Sequence, residues 1–318
     1  MTDPKAIDGL LVQWGDRLFY PGNRTVKDRS DPKLRGRSIA QRAARLRERI
    51  AATVERRAPQ VMVKVTGGGR GMKAIAAHFR YISKNGRLDV EDDRGEVSQG
   101  RDAVRDLAEE WRFGGAYIGD TSPRREAFNI ILSMPRGTNP LAVQQAARLF
   151  ARQEFADHKY VMVLHDHQAN PHVHLSVRAE SKDGRRLNPR KGDLHRWREV
   201  FAARLRELGI EAEATRQPTR GVARRHPDLW QLKARDDGRL LKPPAIGRSG
   251  ASAQASSVAA QRAWRELGRI LGASESEAGR RLARSVEAFA SAMTIRPNVH
   301  PAPGREPQTS PSSGDRSR

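Results

Sequence analysis

Four of the chain's nine histidines fall within ten positions, in the segment VMVLHDHQANPHVHLSVRAES. Alternate residues of a β-strand share a face. His172 and His174 therefore point one way, while Val173, Leu175 and Val177 point into a core. The Asn170-Pro171 pair reads as a turn just before that strand. If YVMVLH and HVHLSV pair as neighbours, His165 at the end of the first comes beside His172 and His174. Three neutral imidazoles then converge on one point with coordination positions left open. That set suits a borderline transition metal such as manganese, zinc, cobalt or nickel, and open positions are what a catalytic site keeps; a divalent cofactor of the manganese, magnesium or zinc class is expected. His167 shares strand parity with His165 and is a candidate to orient a ligand or take up a proton.

A second chemical candidate is a tyrosine. The segment MKAIAAHFRYISKNG places Met72, Ile75, Phe79 and Ile82 on one stripe at the spacing of a helix's core face. Tyr81 lies off that stripe, on the side of Ala74, Ala77 and His78, with Arg80 and Lys84 close by in sequence. A hydroxyl so placed is open to an anion. The other tyrosines are poorer candidates: Tyr20 is in a charged leader, Tyr117 follows two glycines, and Tyr160 starts a buried strand.

The elements that must carry these residues read as a mixture of strands and helices. VMVKVT is a strand, followed by the loop GGGRG and the tyrosine helix. RDAVRDLAEEWRF is an amphipathic helix with Val104, Leu107, Ala108 and Trp111 on one face. AFNIILSM is a buried strand, and a helix follows Pro140, a residue tolerated in a first turn. Two consecutive strands carry the histidines, and Leu194, Trp197, Phe201, Leu205 and Leu208 mark a further helix closed by Gly209. This order predicts an α/β fold with a mainly antiparallel central sheet flanked by helices. Residues 1–59 read as a basic, partly helical extension with an apolar patch that docks on something and an arginine-rich helix that is solvated or DNA-facing. Residues 60–220 read as the catalytic domain and 221–295 as a small helical region where the core signal fades. Residues 296–318 are Pro/Ser/Gly/Arg-rich and read as a disordered tail.

Composition narrows the partner. The 318 residues carry a formal net charge of +22, with a sequence pI near 11.2. Such an excess points to a polyanion, nucleic acid ahead of an anionic membrane surface. There is no cysteine, which excludes disulfides and thiolate metal sites. No apolar run approaches the ~20 residues needed to span a bilayer, and the N-terminus lacks a signal layout. A soluble, cytoplasmic protein is expected. Arg70, Lys84, Arg87, Arg185, Arg186, Arg190 and Lys191 are candidates to track a DNA backbone.

Taken together, the motifs resemble those of the P-type conjugative relaxases, plasmid mobilisation nucleases of the histidine–hydrophobe–histidine endonuclease superfamily. GGGRGMKAIAAHFRYISKNG is similar to the family's first motif, in which a glycine-rich loop leads to the nucleophilic tyrosine; here that is Tyr81, followed by Ile82, Ser83, Lys84, Asn85 and Gly86. NIILSMPRGT resembles the second, whose serine, matched by Ser133, is implicated in DNA contact. HDHQANPHVHL resembles the third, in which three histidines bind the metal. Two positions depart from the pattern: His167 stands where an acidic residue is common, with Asp166 next to it on the opposite parity, and Asn129 stands where the second motif's strand often has histidine.

The resemblance implies a site-specific nickase and strand transferase acting at a transfer origin. In that reaction the tyrosine oxygen attacks a phosphate of single-stranded or locally melted DNA, yielding a 5′-phosphotyrosine and a free 3′-hydroxyl, so that the strand can later be rejoined. It also implies relaxosome accessory proteins and a coupling protein as partners. Two other readings are a rolling-circle replication initiator and a basic accessory protein with a degenerate site. The first is disfavoured by order, because initiators usually place the tyrosine after the histidine pair. The second would follow from His167 and Asn129.

Overall fold

The computed structural model describes residues 4–20, 38–221, 238 and 251–293. Two helices, α1 (Pro4–Phe19) and α2 (Ile39–Val54), precede the sheet. There follow β1 (Met62–Gly67), α3 (Met72–Ile82), β2 (Val90–Asp92), β3 (Val97–Ser98), α4 (Arg101–Phe113) and β4 (Ala127–Ser133). Then come α5 (Pro140–Glu154), β5 (His158–His165), β6 (His172–Ser181) and α6 (Lys191–Glu207). A short 3-10 turn at Pro218–Arg220 and the helices α7 (Ala251–Gly272) and α8 (Glu277–Ala292) complete the described chain.

The six strands form one sheet in the order β1-β4-β6-β5-β2-β3, and every adjacent pair is antiparallel. The expected α/β architecture with an antiparallel centre is therefore present. Alternation gives each strand two faces. On one, Val63, Ile130, Leu132, Val173, Leu175, Val177 and Met162 pack under α5 and α6, which contribute Phe150, Trp197 and Phe201. On the other, Ala127, Val161 and Val163 meet α3 and α4 through Met72, Ile75, Phe79 and Trp111. The second face is also the one that His172 and His174 share. Asn139 caps α5, its Oδ1 accepting from the amides of Leu141 and Ala142, with Pro140 at the first position. β2 and β3, absent from the sequence reading, are three and two residues long. They hold buried Glu91 against Arg148.

The two ends of the described chain make a third core. Leu11, Leu18 and Phe19 of α1 and Leu46 and Ile50 of α2 pack with Trp264, Leu267 and Leu271 of α7 and Val286 of α8. So α2 is not simply a solvated or DNA-facing basic helix, and among the described residues beyond 220 apolar packing is present in α7 and α8. The apolar positions of α7 lie among alanines and arginines, and their partners come from the far end of the chain, which no local window contains. The expected disordered tail, 296–318, lies outside the described residues.

A buried arginine ties this helical cluster to the sheet domain. Arg49 of α2 pairs with Glu199 of α6 at 2.6 Å and with Glu213 at 3.2 Å, and donates to the Tyr20 hydroxyl at 2.7 Å. Its guanidinium stacks on Phe19. Burial raises the Glu213 carboxyl, and the adjacent arginines, Arg49 first, oppose that. Among the described residues, no helix is long and apolar enough to cross a membrane.

Candidate active site

The site begins as a hairpin. β5 ends on His165, the polar loop 166–171 reverses the chain, and β6 starts on His172, its register partner. His174 lies opposite Val163, two residues along on the same face. All three histidines are buried, and one candidate ligand atom from each lies within 4.8 Å of the others. Their ring centroids are 4.5 to 5.1 Å apart.

Hydrogen bonds assign the nitrogens. His165 Nε2–H donates to the Ile82 carbonyl at 2.6 Å, so Nδ1 is the lone-pair atom, and it is buried with no partner. His172 Nδ1–H donates to the Asn170 carbonyl at 2.9 Å, which leaves Nε2 for a ligand. A carbonyl behind each of these rings is the usual means of fixing the tautomer of a metal-binding imidazole. Burial pushes His174 down to about 3, reinforced by His165, His172 and His78, and burial also lowers His165. Buried imidazoles held neutral, with an orphaned nitrogen in the cluster, fit a divalent cation. The tri-histidine cluster is thus capable of coordinating a metal ion.

Tyr81 stands over this cluster. Its helix buries the predicted stripe of Met72, Ile75, Phe79 and Ile82, whereas Tyr81 is 67% exposed. Its ring lies edge-on to His174 at 6.4 Å. His78, one turn earlier, is 6.3 Å from both Tyr81 and His174, and burial lowers it to about 4 with Nε2 unpartnered. No role for His78 is predicted from the sequence. Its spacing from Tyr81 was the available signal.

The residues after Tyr81 explain why α3 stops there. Lys84, Asn85 and Gly86 have φ of 50°, 58° and 81°. This left-handed run is costly for a lysine. Buried Ser83 steadies it, its Oγ accepting from the Gly86 amide at 3.0 Å. A Cβ at Gly86 would lie 2.4 Å from the Gly100 carbonyl carbon. The glycine loop before α3 is tight for a similar reason, since a Cβ at Gly68 would meet the Ala127 carbonyl oxygen and one at Gly71 that of Asp120.

The remaining candidates divide. Ser133 is in register with His172, but it is buried and its hydroxyl donates to the Pro171 carbonyl at 3.2 Å. His167 is exposed, with its ring 5.1 Å from that of His165, and it is not among the three that converge. Lys84 and Arg87 are exposed just beyond α3, and Arg70 just before it, hydrogen-bonded to the Pro123 carbonyl. Arg185 and Arg186 follow the far end of β6, nine residues from His172, or roughly 30 Å at the rise of a strand. They are not brought to the histidines: Arg185 pairs with Asp183, and Arg186 with Glu126 and Glu180. Arg190 and Lys191 open α6 at that same far end, where Asp193 and Arg196 line one cavity with Ser181 and Arg185.

Residues 81–210 match the family model of the MobA/VirD2-like relaxase nuclease domain. The chain is 23% identical over 188 residues to the T-DNA border endonuclease VirD2 of Agrobacterium fabrum, covering 52% of this chain and 42% of that protein. It is 25% identical over 186 residues to the T-DNA border endonuclease VirD2 of Rhizobium radiobacter, covering 52% and 44%. The chain thus spans less than half the length of these relatives. The matched domain and the histidine triad support a link to the relaxase superfamily and metal-dependent, DNA-processing chemistry of the nuclease type.

Proposed function

We propose that this chain is a relaxase, a strand-specific DNA nickase and strand transferase that starts transfer from the origin of a plasmid or other mobile element. The observation that carries the reading is the exposed Tyr81 ring set 6.4 Å from His174 of the buried triad. In this reading His165 Nδ1, His172 Nε2 and one His174 nitrogen hold the cation. A bound divalent metal supplies Lewis-acid stabilisation of charge on the scissile phosphate. Tyr81 Oη forms a bond to phosphorus as the phosphorus–O3′ bond breaks. The tyrosine proton passes to a neutral imidazole, for which His167 is the candidate, and the departing 3′-oxygen takes up a proton from solvent. The phosphodiester energy is retained in the phosphotyrosine, so a 3′-hydroxyl can reverse the step.

The chain's own packing supports this chemistry. The Ile82 carbonyl that holds His165 follows Tyr81 directly, so nucleophile and ligand share one backbone segment. Residues 60–220 would form the nicking domain, with 1–59 and 221–295 as flanking helical regions. Metal identity, the origin sequence, relaxosome accessory proteins and a coupling protein belong to the same proposal. The test is covalent capture. A radiolabelled pool of randomised single-stranded oligonucleotides is incubated with manganese, magnesium or zinc, then denatured and run on a gel. A protein–DNA adduct is expected in the wild-type chain and absent in Tyr81→Phe and His172→Ala. No adduct with any of the three metals would overturn the reading, as would an adduct that persists in Tyr81→Phe.

A further inference from the structure

The helices do not cover all of the sheet face that bears the triad. The core stripe of α3 packs over β5, and its flank, carrying Ala74, Ala77, His78 and Tyr81 at helical spacing, reaches only as far as His174 of β6. Beyond that flank the face continues over β4 to β1, where Met62, Lys64 and Thr66 are exposed while Val63 on the reverse is buried. The register orders this open strip. Lys64, Ile131 and His174 form one row across β1, β4 and β6, and Asn129 and Ser176 lie in the next row. Lys64 is therefore about 10 Å from His174, two inter-strand spacings away, and Asn129 is one two-residue step of roughly 7 Å along the strands.

We propose that this strip is a single-stranded DNA track in which Lys64 neutralises a backbone phosphate and Asn129 reads the edge of one base. The inference rests on the nuclease reading above. Its charge fits: α3, β1 and β4 carry no carboxylate at all, and Lys64 makes no ion pair among the described residues. Arg185 and Arg186, by contrast, are committed to acids at the far end. The alanines of the α3 flank leave room for a flat base against the helix. Asn129 is oriented. The buried Ser176 hydroxyl donates to Asn129 Oδ1 at 3.0 Å, which turns the amide's NH2 group, a double donor, toward the strip. That group suits a base carbonyl oxygen, such as thymine O4. It lacks the outward acceptor with which an asparagine pairs adenine at both N6 and N7.

The full chain is titrated, in chelator, into fluorescently labelled oligo(dT) and oligo(dA) of equal length, and anisotropy is followed over a salt series. Lys64→Ala is expected to weaken both equally and to reduce the slope of log affinity against log salt by about 0.7, the contribution of one phosphate on a single strand. The wild-type chain is expected to prefer oligo(dT) by about fivefold or more, a preference that Asn129→Ala removes. Thermal melting checks that both variants fold, and Asn129→Ser serves as a second variant of the same prediction. An unchanged slope in Lys64→Ala, no oligo(dT) preference in the wild type, or a preference that survives loss of Asn129 would overturn the track. Adduct formation with unaltered variants sinks the track and spares the nuclease reading; altered variants without any adduct do the reverse.

Discussion

Acidification should weaken metal binding much less steeply than three imidazoles in solution would require. An imidazole with the ordinary pKa of about 6.5 must be unprotonated to ligate. Three such ligands would cost approximately three decades of affinity for each pH unit below that value. Here burial, aided by neighbouring histidines, lowers His174 to about 3, and burial lowers His165 as well. The sign follows from the direction of the shift. A folded-state value below the ordinary one means proton competition starts only as pH falls toward the lowered value. Between pH 6.5 and 5, His174 is therefore out of the competition, and burial makes His165 a weaker competitor for protons than an ordinary imidazole. The slope should stay at or below about two decades per pH unit across this window. Titration calorimetry with manganese or cobalt in non-coordinating buffers, at several pH values, measures it directly. A slope of three decades per unit would refute the claim that these imidazoles are held neutral by burial. Cobalt binding that survives in His172→Ala would refute the ligand set.

Three other perturbations separate stability from chemistry. Tyr81→Phe removes a hydroxyl from an exposed ring and should change unfolding free energy by less than about 0.5 kcal/mol while abolishing adduct formation; denaturant melts and the capture gel read the two. Arg49→Ala removes the arginine paired with Glu199 and the nearer of the two paired with buried Glu213, leaving it Arg206 at 3.6 Å, so up to about 3–5 kcal/mol of stability should be lost, with part regained in Arg49→Met combined with Glu213→Gln. A loss below about 1 kcal/mol in the denaturant melt would show that the pair does not hold the helical cluster to α6. Gly86→Ala should cost about 1–3 kcal/mol for its positive φ alone, before the contact with Gly100. It should also weaken cobalt affinity, because the turn it distorts begins one residue after the carbonyl that holds His165.

Period-two parity on HVHLSV and the turn at Asn170-Pro171 were enough to bring His165, His172 and His174 together, because two consecutive strands joined by a short loop pair at their adjoining ends. The core stripe of α3 was equally legible, and with it the exposure of Tyr81. Other features depended on partners distant in sequence. Arg185 and Arg186 look like free cations in a string of letters, yet Glu126, some 60 residues earlier, comes beside Arg186 once β4 and β6 pair. Trp264 reads as one aromatic in an alanine-rich helix until Phe19 meets it edge-on at 5.8 Å. β2 is too short to show a period, and its acids Glu91 and Asp92 suggest a loop. Asn129 stood out only as a departure from a motif, and the register gave it a place beside Ser176.

The spacing from Tyr81 to Gly86 has a physical rationale beyond the tyrosine itself. The catalytic reading needs a hydroxyl and a cation kept in fixed relation, although Tyr81 is on a helix and the triad is on a hairpin. Side-chain packing alone would leave an exposed tyrosine free to drift. A hydrogen bond fixes the relation between the two parts, from His165 Nε2–H to the Ile82 carbonyl at 2.6 Å. For that carbonyl to be available, the helix must end at Ile82, since a continuing helix would give it an amide four residues on. Ser83, with its hydroxyl folded back to the Gly86 amide, and the left-handed residues Lys84, Asn85 and Gly86 end it there. Glycine is required at the third of these because the backbone of Gly100 crosses within van der Waals range of where a Cβ would stand. Under the proposed function, the sequence YISKNG therefore carries two roles at once: a nucleophile, and the helix stop that lets the next carbonyl grip a ligand of the metal site.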